Sequence, residues 1–518
     1  MRSIGLRSLA AISTLLFVWL VTGTAWAAKR PKYGGTLRVE LHVASVSLDP
    51  REWKVGSVAA AENEKLATLI YDRLVTLDDY GRFQPALATE WSHDAAVRNW
   101  QFKLRSGVKF SDGSALTPVD VANALQSLFP PGLQIIPGEN NLTIRAAHPL
   151  PDLLEQLASG RYFVFRKNAD GTFRGTGSFY LGESVPAQPS EVNPAALKPG
   201  HLKFRANEEA WAGRPFVDAV EVTLGAPGLR QILDLQVGRA DLIEIAPDLV
   251  RKARQDNLLV WSSAPNTLLA LRFDNSQAAA ADDRLREAVD LALDRDTMAS
   301  VLLQREAQPA TTLLPQWLTG YAFLLGSPMN LNRAKEIRAS LPASEAGIAE
   351  PLRLRVDASG DLMKLLGERV AVNARQANLA VQVTPHGTAA AATNSNPAAA
   401  GLHLIAWHYD SLSGYAELGA LVSQLHLQDG SETVPTAAEP ERLYAEERRL
   451  LDQRQLLPLI VLPDYVGIGP SVRDWSPAPW GEWRLGDVWL EFGETTASGA
   501  ASGSSRTSTK DRIPGVRP

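Results

Sequence analysis

The chain contains no cysteine. Disulfides, thiolate metal sites, cysteine nucleophiles and a lipid-modified N-terminal cysteine are therefore all excluded. Basic residues are not in excess either: 52 lysines and arginines face 57 aspartates and glutamates. That balance argues against a nucleic-acid surface, and no nucleic-acid partner is expected. Histidine is scarce, with 8 in all. There is no His-Glu-x-x-His, no Gly-x-Ser-x-Gly and no Gly-Lys pair for a phosphate-cradling loop. No catalytic residue, resident cofactor or metal site is expected on this reading.

Long apolar runs are nearly absent, and the exception lies at the N-terminus. Arg2 and Arg7 precede the run Leu9 to Val21, and Ala25-Trp26-Ala27 follows as a small-x-small cleavage site. Residues 1–27 read as a signal peptide. The run is short for a membrane span of about 20 residues and is broken by Ser13 and Thr14. With cysteine absent, the expectation is a freely soluble periplasmic protein that is not a lipoprotein. At 518 residues the chain is too long for one ordinary core, which favours two or three domains. Its 45% hydrophobic and 21% charged residues are those of a globular protein.

The most legible stretch runs from residue 99 to 128. Trp100, Phe102 and Leu104 alternate with Gln101, Lys103 and Arg105, the period of a strand with one buried face. Ser111-Asp112-Gly113 supplies a turn. Thr117 then suits an N-cap, Pro118 the first helical position, and Asp120 the positive helix end. Val121, Ala124, Leu125 and Leu128 complete one apolar face.

The order Trp-x-Phe-x-Leu-Arg-x-Gly-Val-x-Phe-x-Asp-Gly-x-x-Leu-Thr-x-x-Asp-Val in this stretch resembles the signature of family 5 extracytoplasmic solute-binding proteins. These are binders of dipeptides, oligopeptides and nickel. Other segments match in the same order: Gly34-Gly35-Thr36-Leu37, Leu48-Asp49-Pro50, Pro85 to Trp91, Asn207 to Pro215, and the helix Arg286 to Arg295. Gly175-Thr176-Gly177 resembles the family's Gly-Thr-Gly-Pro-Tyr, with Ser178 in place of proline. Read from its residues alone, that glycine pair is a turn requiring positive φ. Strand and helix alternation over 207–243 further suggests a mostly parallel sheet.

The resemblance implies an α/β, two-lobed periplasmic binding protein of class II-like type, with an extra subdomain inserted in the first lobe. The expected division is lobe I over 28–55, 170–268 and 472–494, an inserted subdomain over 56–169, lobe II over 269–471, and a disordered tail over 495–518. Residues 387–400 read as a surface loop, and 457–468 as a buried strand pair.

The main site candidate is Trp407-His408-Tyr409-Asp410, at the end of the apolar strand Leu402 to Trp407. Ligands gather beyond the carboxyl ends of strands in open α/β sheets, and a carboxylate there can hold an ammonium group. The alternative reading of Asp410 is a solvated turn aspartate after a packed tryptophan. In the family, a Trp-x-x-Asp at this point supplies the aspartate that pairs with a peptide amine, and Trp407 and Asp410 have that spacing. The following Ser411-Leu412-Ser413-Gly414 departs from the family's tyrosine and proline content. Trp53, Trp317, Tyr321 and Tyr409 are candidate aromatic walls or core residues. His408 is a candidate contact for a carboxylate or a metal chelate. His403 and His408, five apart, fall on opposite faces of a regular strand.

For function, the resemblance implies a monomeric periplasmic component of an ABC importer. It would capture a di- or oligopeptide between its lobes and deliver it to an inner-membrane permease with separate ATPase subunits. A nickel chelate, haem or another non-peptide solute is the alternative ligand. A periplasmic sensor or hydrolase on the same scaffold is the alternative class.

Overall fold

The computed structural model describes residues 30–189, 197–198, 200–274, 282–326, 329–341, 351–356, 360–384, 401–427 and 440–491. The expected signal peptide, the loop 387–400 and the tail lie outside them.

Two large sheets organise the chain. The first has seven strands in the order Phe179–Val185, Gly200–Ala206, Ala219–Leu224, Thr36–Leu41, Leu242–Glu244, Tyr465–Ile468 and Leu259–Ser262. Thr36–Leu41 buries Leu37, Val39 and Leu41 and leaves the alternate residues half-covered. It runs parallel to both its neighbours, and the other pairs are antiparallel. The sheet is thus mixed, not mostly parallel. Its reversals come from direct strand-to-strand returns and from a strand that re-enters from the other lobe.

The second sheet orders Gln308–Pro309, Leu456–Leu462, Thr267–Phe273, Leu402–His408, Leu352–Val356 and Val381–Thr384. Its two faces carry separate apolar cores, one around Leu271, Leu404 and Leu459 and one around Leu268, Ile405 and Trp407. Such two-sided burial is why Leu456–Leu462 is apolar throughout.

A third sheet, Ala88–His93, Asn99–Leu104, Asn141–Ala146 and Leu133–Pro137, is an antiparallel meander. The stretch 99–128 sits here as its pattern predicts. Trp100 and Phe102 are buried, and the helix Pro118–Leu128 starts in a capping box in which Thr117 and Asp120 bond each other's backbone N–H.

Two boundaries differ from expectation. Tyr465–Ile468 lies in the first sheet, so the second lobe does not run to residue 471 and Leu457–Ile468 is not one strand pair. The chain crosses between sheets at Pro463-Asp464. The helix Val58–Ile70 packs through Leu66, Ala67, Leu69 and Ile70 on the first lobe's core, whereas the small sheet's core begins at Leu74. Residues 58–70 therefore belong with the first lobe and not with the inserted subdomain. Gly175 also has another reason than the one expected. Its φ is not positive; a Cβ there would fall 1.8 Å from the Ile70 carbonyl oxygen. Close approach to the end of that helix excludes a side chain.

Candidate functional site

The two lobes are joined by two adjacent crossovers. One is Ser263 to Asn266, the other Pro463-Asp464. They brace each other: Ser263 N–H donates to the Asp464 carbonyl at 3.0 Å, Asp464 N–H to Ser263 Oγ at 2.9 Å, and Asn266 N–H to the Leu462 carbonyl at 2.9 Å. The strand Leu402–His408 ends beside them, where Tyr409 N–H donates to the Asn266 carbonyl at 2.9 Å.

That strand end meets the first lobe at Gly56. His408 N–H donates to the Gly56 carbonyl at 2.8 Å, and Gly56 N–H donates to Asp410 Oδ2 at 2.5 Å. The helix Gly414–Gln424 fixes the loop from behind through Glu417. Its carboxylate accepts from Trp407 Nε1 at 3.3 Å, Asp410 N–H at 3.2 Å and Ser411 N–H at 3.3 Å. One oxygen of Asp410 is thereby committed to the other lobe. The second, Oδ1, is buried and has no hydrogen-bond partner.

Two chambers flank Asp410. The smaller, about 40 Å³, is lined by Trp317, His408, Tyr409 and Asp410 together with Glu64, Lys65, Asp464 and Trp483. The larger, about 230 Å³, is lined by Trp53, Ala60, Tyr162, Ala416 and Ala420 as well as Asp410 and Glu417. The candidates divide accordingly. Trp317, His408, Tyr409 and Asp410 share one wall and Trp53 the next. Trp407 lines neither chamber; its ring packs on Gly56 and its indole N–H is held by Glu417. Tyr321 also lines neither; it is core, with its hydroxyl donating to Glu447 at 2.8 Å. Of the two readings open for Tyr321, the structure places it in the core, while Trp407 lines a separate cavity at the lobe junction with Val55, Gly56 and Ser57.

Acidic groups dominate the surroundings. Lys65, buried, bonds Glu62 at 2.7 Å and Glu244 at 3.0 Å and lies 3.4 Å from Asp464. Arg73 pairs with Glu482 at 2.7 Å and with Glu64, donates to the Gly160 carbonyl at 2.9 Å, and stacks over Phe163. Sequence reasoning missed this cluster. Burial, reinforced by the nearby Glu417 carboxylate, holds the Asp410 carboxyl well above the usual range. Burial pushes Glu417 up to about 8 and, against the pull of Arg73, Glu64 to about 7. Burial also brings His408 down to about 4, leaving a neutral imidazole with Nδ1 3.1 Å from Thr267 Oγ1.

These shifts set a pH dependence. Glu417 and Glu64 have folded pKa values above their unfolded value near 4.5. The folded state then holds more protons than the unfolded between about pH 4.5 and 8, so stability falls as pH rises through that window. Glu244 has the opposite sign: although burial works against it, Lys65 holds it near 2, and its contribution is lost only below about pH 4.5. Unfolding free energy of the unliganded protein, from urea titrations, is expected to be lower at pH 8 than at pH 5 by a few kcal/mol, on the order of one pKa unit per 1.4 kcal/mol. Equal values at the two pH settings would contradict the burial of these carboxyls.

No helix among the described residues is long and apolar enough to cross a membrane. The description "bacterial extracellular solute-binding proteins, family 5 Middle" fits residues 82–426. The probable di/tripeptide-binding protein 5 of Pseudomonas aeruginosa is 25% identical over 290 residues, 49% of this chain and 55% of that protein. The chain spans about half the length of the curated relatives it matches first. Among solved structures, the oligopeptide-binding protein AppA from Bacillus subtilis in complex with a nonapeptide superposes with a TM-score of 0.71 at 15% identity. The match covers 89% of this chain and all of that one. NikA from Staphylococcus aureus in complex with Ni(L-His)2 gives 0.68 at 17% identity, over 88% of this chain and all of that one. At such identities the structures establish the shared two-lobed α/β fold. With the family match running over residues 82–426, which include the small sheet, strands of both large sheets and the Asp410 loop, the chain belongs to the family 5 bacterial extracellular solute-binding proteins.

Proposed function

We propose that this protein is the periplasmic solute-binding component of an ABC importer, closing its two lobes on a short peptide whose amine is received by Asp410. One observation carries the reading. At the junction of the lobes, Asp410 bonds the first lobe through Oδ2 and keeps Oδ1 buried without a partner. A buried carboxylate oxygen in that condition is costly, and a ligand ammonium removes the cost by pairing with it. The acidic surroundings of the chambers favour a cationic group over an anionic one. The di/tripeptide-binding relatives fit a peptide, as the nickel-binding relative fits the alternative solute.

In this reading the paired crossovers at 263–266 and 463–464 are the hinge. Residues 1–27 direct export, and the closed form docks as a monomer on an inner-membrane permease served by separate ATPase subunits. Mass spectrometry of ligand released from purified protein tests the assignment. Wild type is expected to carry peptides and Asp410→Ala to carry few. The same non-peptide solute in both proteins rejects the peptide reading.

A further inference from the structure

The larger chamber contrasts with the polar one beside it. Trp53, Val55, Ala60, Tyr162, Ala416 and Ala420 give it apolar walls. Ala416 and Ala420 stand four apart on the helix Gly414–Gln424, so one face presents two small side chains to the space while Glu417 turns to the loop. The polar groups on the wall are already engaged. Gln156 donates to Asp152 at 3.1 Å, Arg161 to the Leu128 carbonyl at 3.0 Å, and Glu64 pairs with Arg73. Asp410 Oδ1 is the buried side-chain atom on this wall, among the described residues, that is left without a partner.

The smaller chamber adds a complementary feature. Trp483 lines it, and its buried indole Nε1–H also has no partner. An orphan acceptor and an orphan donor thus stand on the wall of a chamber that adjoins a largely apolar space. Resting on the peptide reading above, we infer that the site selects a ligand whose amine-bearing residue has an apolar side chain. The ammonium pairs with Asp410 Oδ1, the adjoining carbonyl oxygen accepts from Trp483 Nε1, and the side chain fills the larger chamber. Each chamber is smaller than the roughly 300–1,000 Å³ of sites for drug-sized ligands. The occupant is accordingly short, with one branched aliphatic or aromatic side chain at its N-terminal residue.

Calorimetry with Leu-Gly and Gly-Gly tests this on the full mature chain after its resident ligand is removed. Wild type is expected to prefer Leu-Gly by on the order of 30-fold, the size expected for burying a leucine side chain. In Ala420→Phe, which fills the chamber, that ratio is expected to collapse toward one. Circular dichroism melting identifies a variant that has failed to fold, and the wild-type preference alone then decides. Equal wild-type affinity for the two peptides, with Asp410→Ala weakening both, overturns the side-chain inference and leaves the amine reading standing. Failure of wild type to bind either peptide overturns both.

Discussion

Gly56→Ala is expected to abolish ligand capture while leaving the two lobes folded. The residue adopts φ +75, and a Cβ there would lie 2.4 Å from the ring atoms of Trp407 in the other lobe. The left-handed backbone costs alanine about 1–2 kcal/mol, and it does so whether the lobes are together or apart. The overlap with Trp407 arises only when they meet. Relieving it requires either that the lobes stay separated or that the indole leaves Glu417. Leaving would release the donor that helps fix the Asp410 loop. Both bonds made by Gly56, to His408 and Asp410, depend on the same approach. Peptide affinity should fall at least 100-fold, about 2.7 kcal/mol, with melting lowered by only a few degrees. Small-angle scattering at saturating ligand should report a larger radius of gyration than wild type. Gly56→Ala combined with Trp407→Ala should recover part of the affinity, because the obstructing ring is gone. Near-wild-type binding by the single variant would mean that Gly56 does not join the lobes during capture.

The elements that sequence pattern located are those with one covered face. Asn99–Leu104 alternates because Trp100, Phe102 and Leu104 face the small sheet's core, and Asp283–Ala292 is legible from its Asp282 cap and its apolar face. The helix Val58–Ile70 gave no such signal before Leu66. Past its first two residues it is enclosed on most sides, burying Glu62, Asn63 and Lys65 along with Ala60, Ala61 and Ala67, so no polar face marks the period. Residues 456–468 are apolar in both strands because each lies within a covered sheet. Composition therefore could not tell which sheet each strand joins, and Pro463-Asp464 was the available clue.

The site divided in the same way. Asp410 stood out because a strand end and a tryptophan frame it. The charged cluster near it, Lys65, Arg73, Asp464 and Glu482, comes from distant segments that only the fold brings together. Glu417 did carry a local signal, as the one charge in residues 414–424. A lone carboxylate in an otherwise uncharged helix is a candidate for buried bonding to backbone, and here it holds three donors.

Asp410→Asn provides the larger test of the chemistry. Asparagine keeps an oxygen for the Gly56 N–H, so the lobes can still meet, but it removes the charge opposite the ligand amine. Losing one member of a buried charged pair costs about 2–5 kcal/mol, a fall of about 30- to several thousand-fold in affinity for a free-amine dipeptide. An N-acetylated dipeptide has no ammonium and should bind weakly and alike to both proteins. That double comparison separates the amine contact from any general damage to the loop. Proton linkage supplies an independent check. Because burial and Glu417 raise the Asp410 pKa well above the usual carboxylate range, the unliganded site retains a proton to higher pH. The arriving ammonium stabilises the ionised form and lowers that pKa, so binding must expel the proton. Wild-type affinity should accordingly increase from pH 5 to pH 7, and the calorimetric heat should vary with the ionisation enthalpy of the buffer. Asp410→Asn should lose most of both dependences. If the variant instead binds free-amine and acetylated peptides with the wild-type ratio, the amine is recognised elsewhere in the cleft and the orphan oxygen of Asp410 has no part in it.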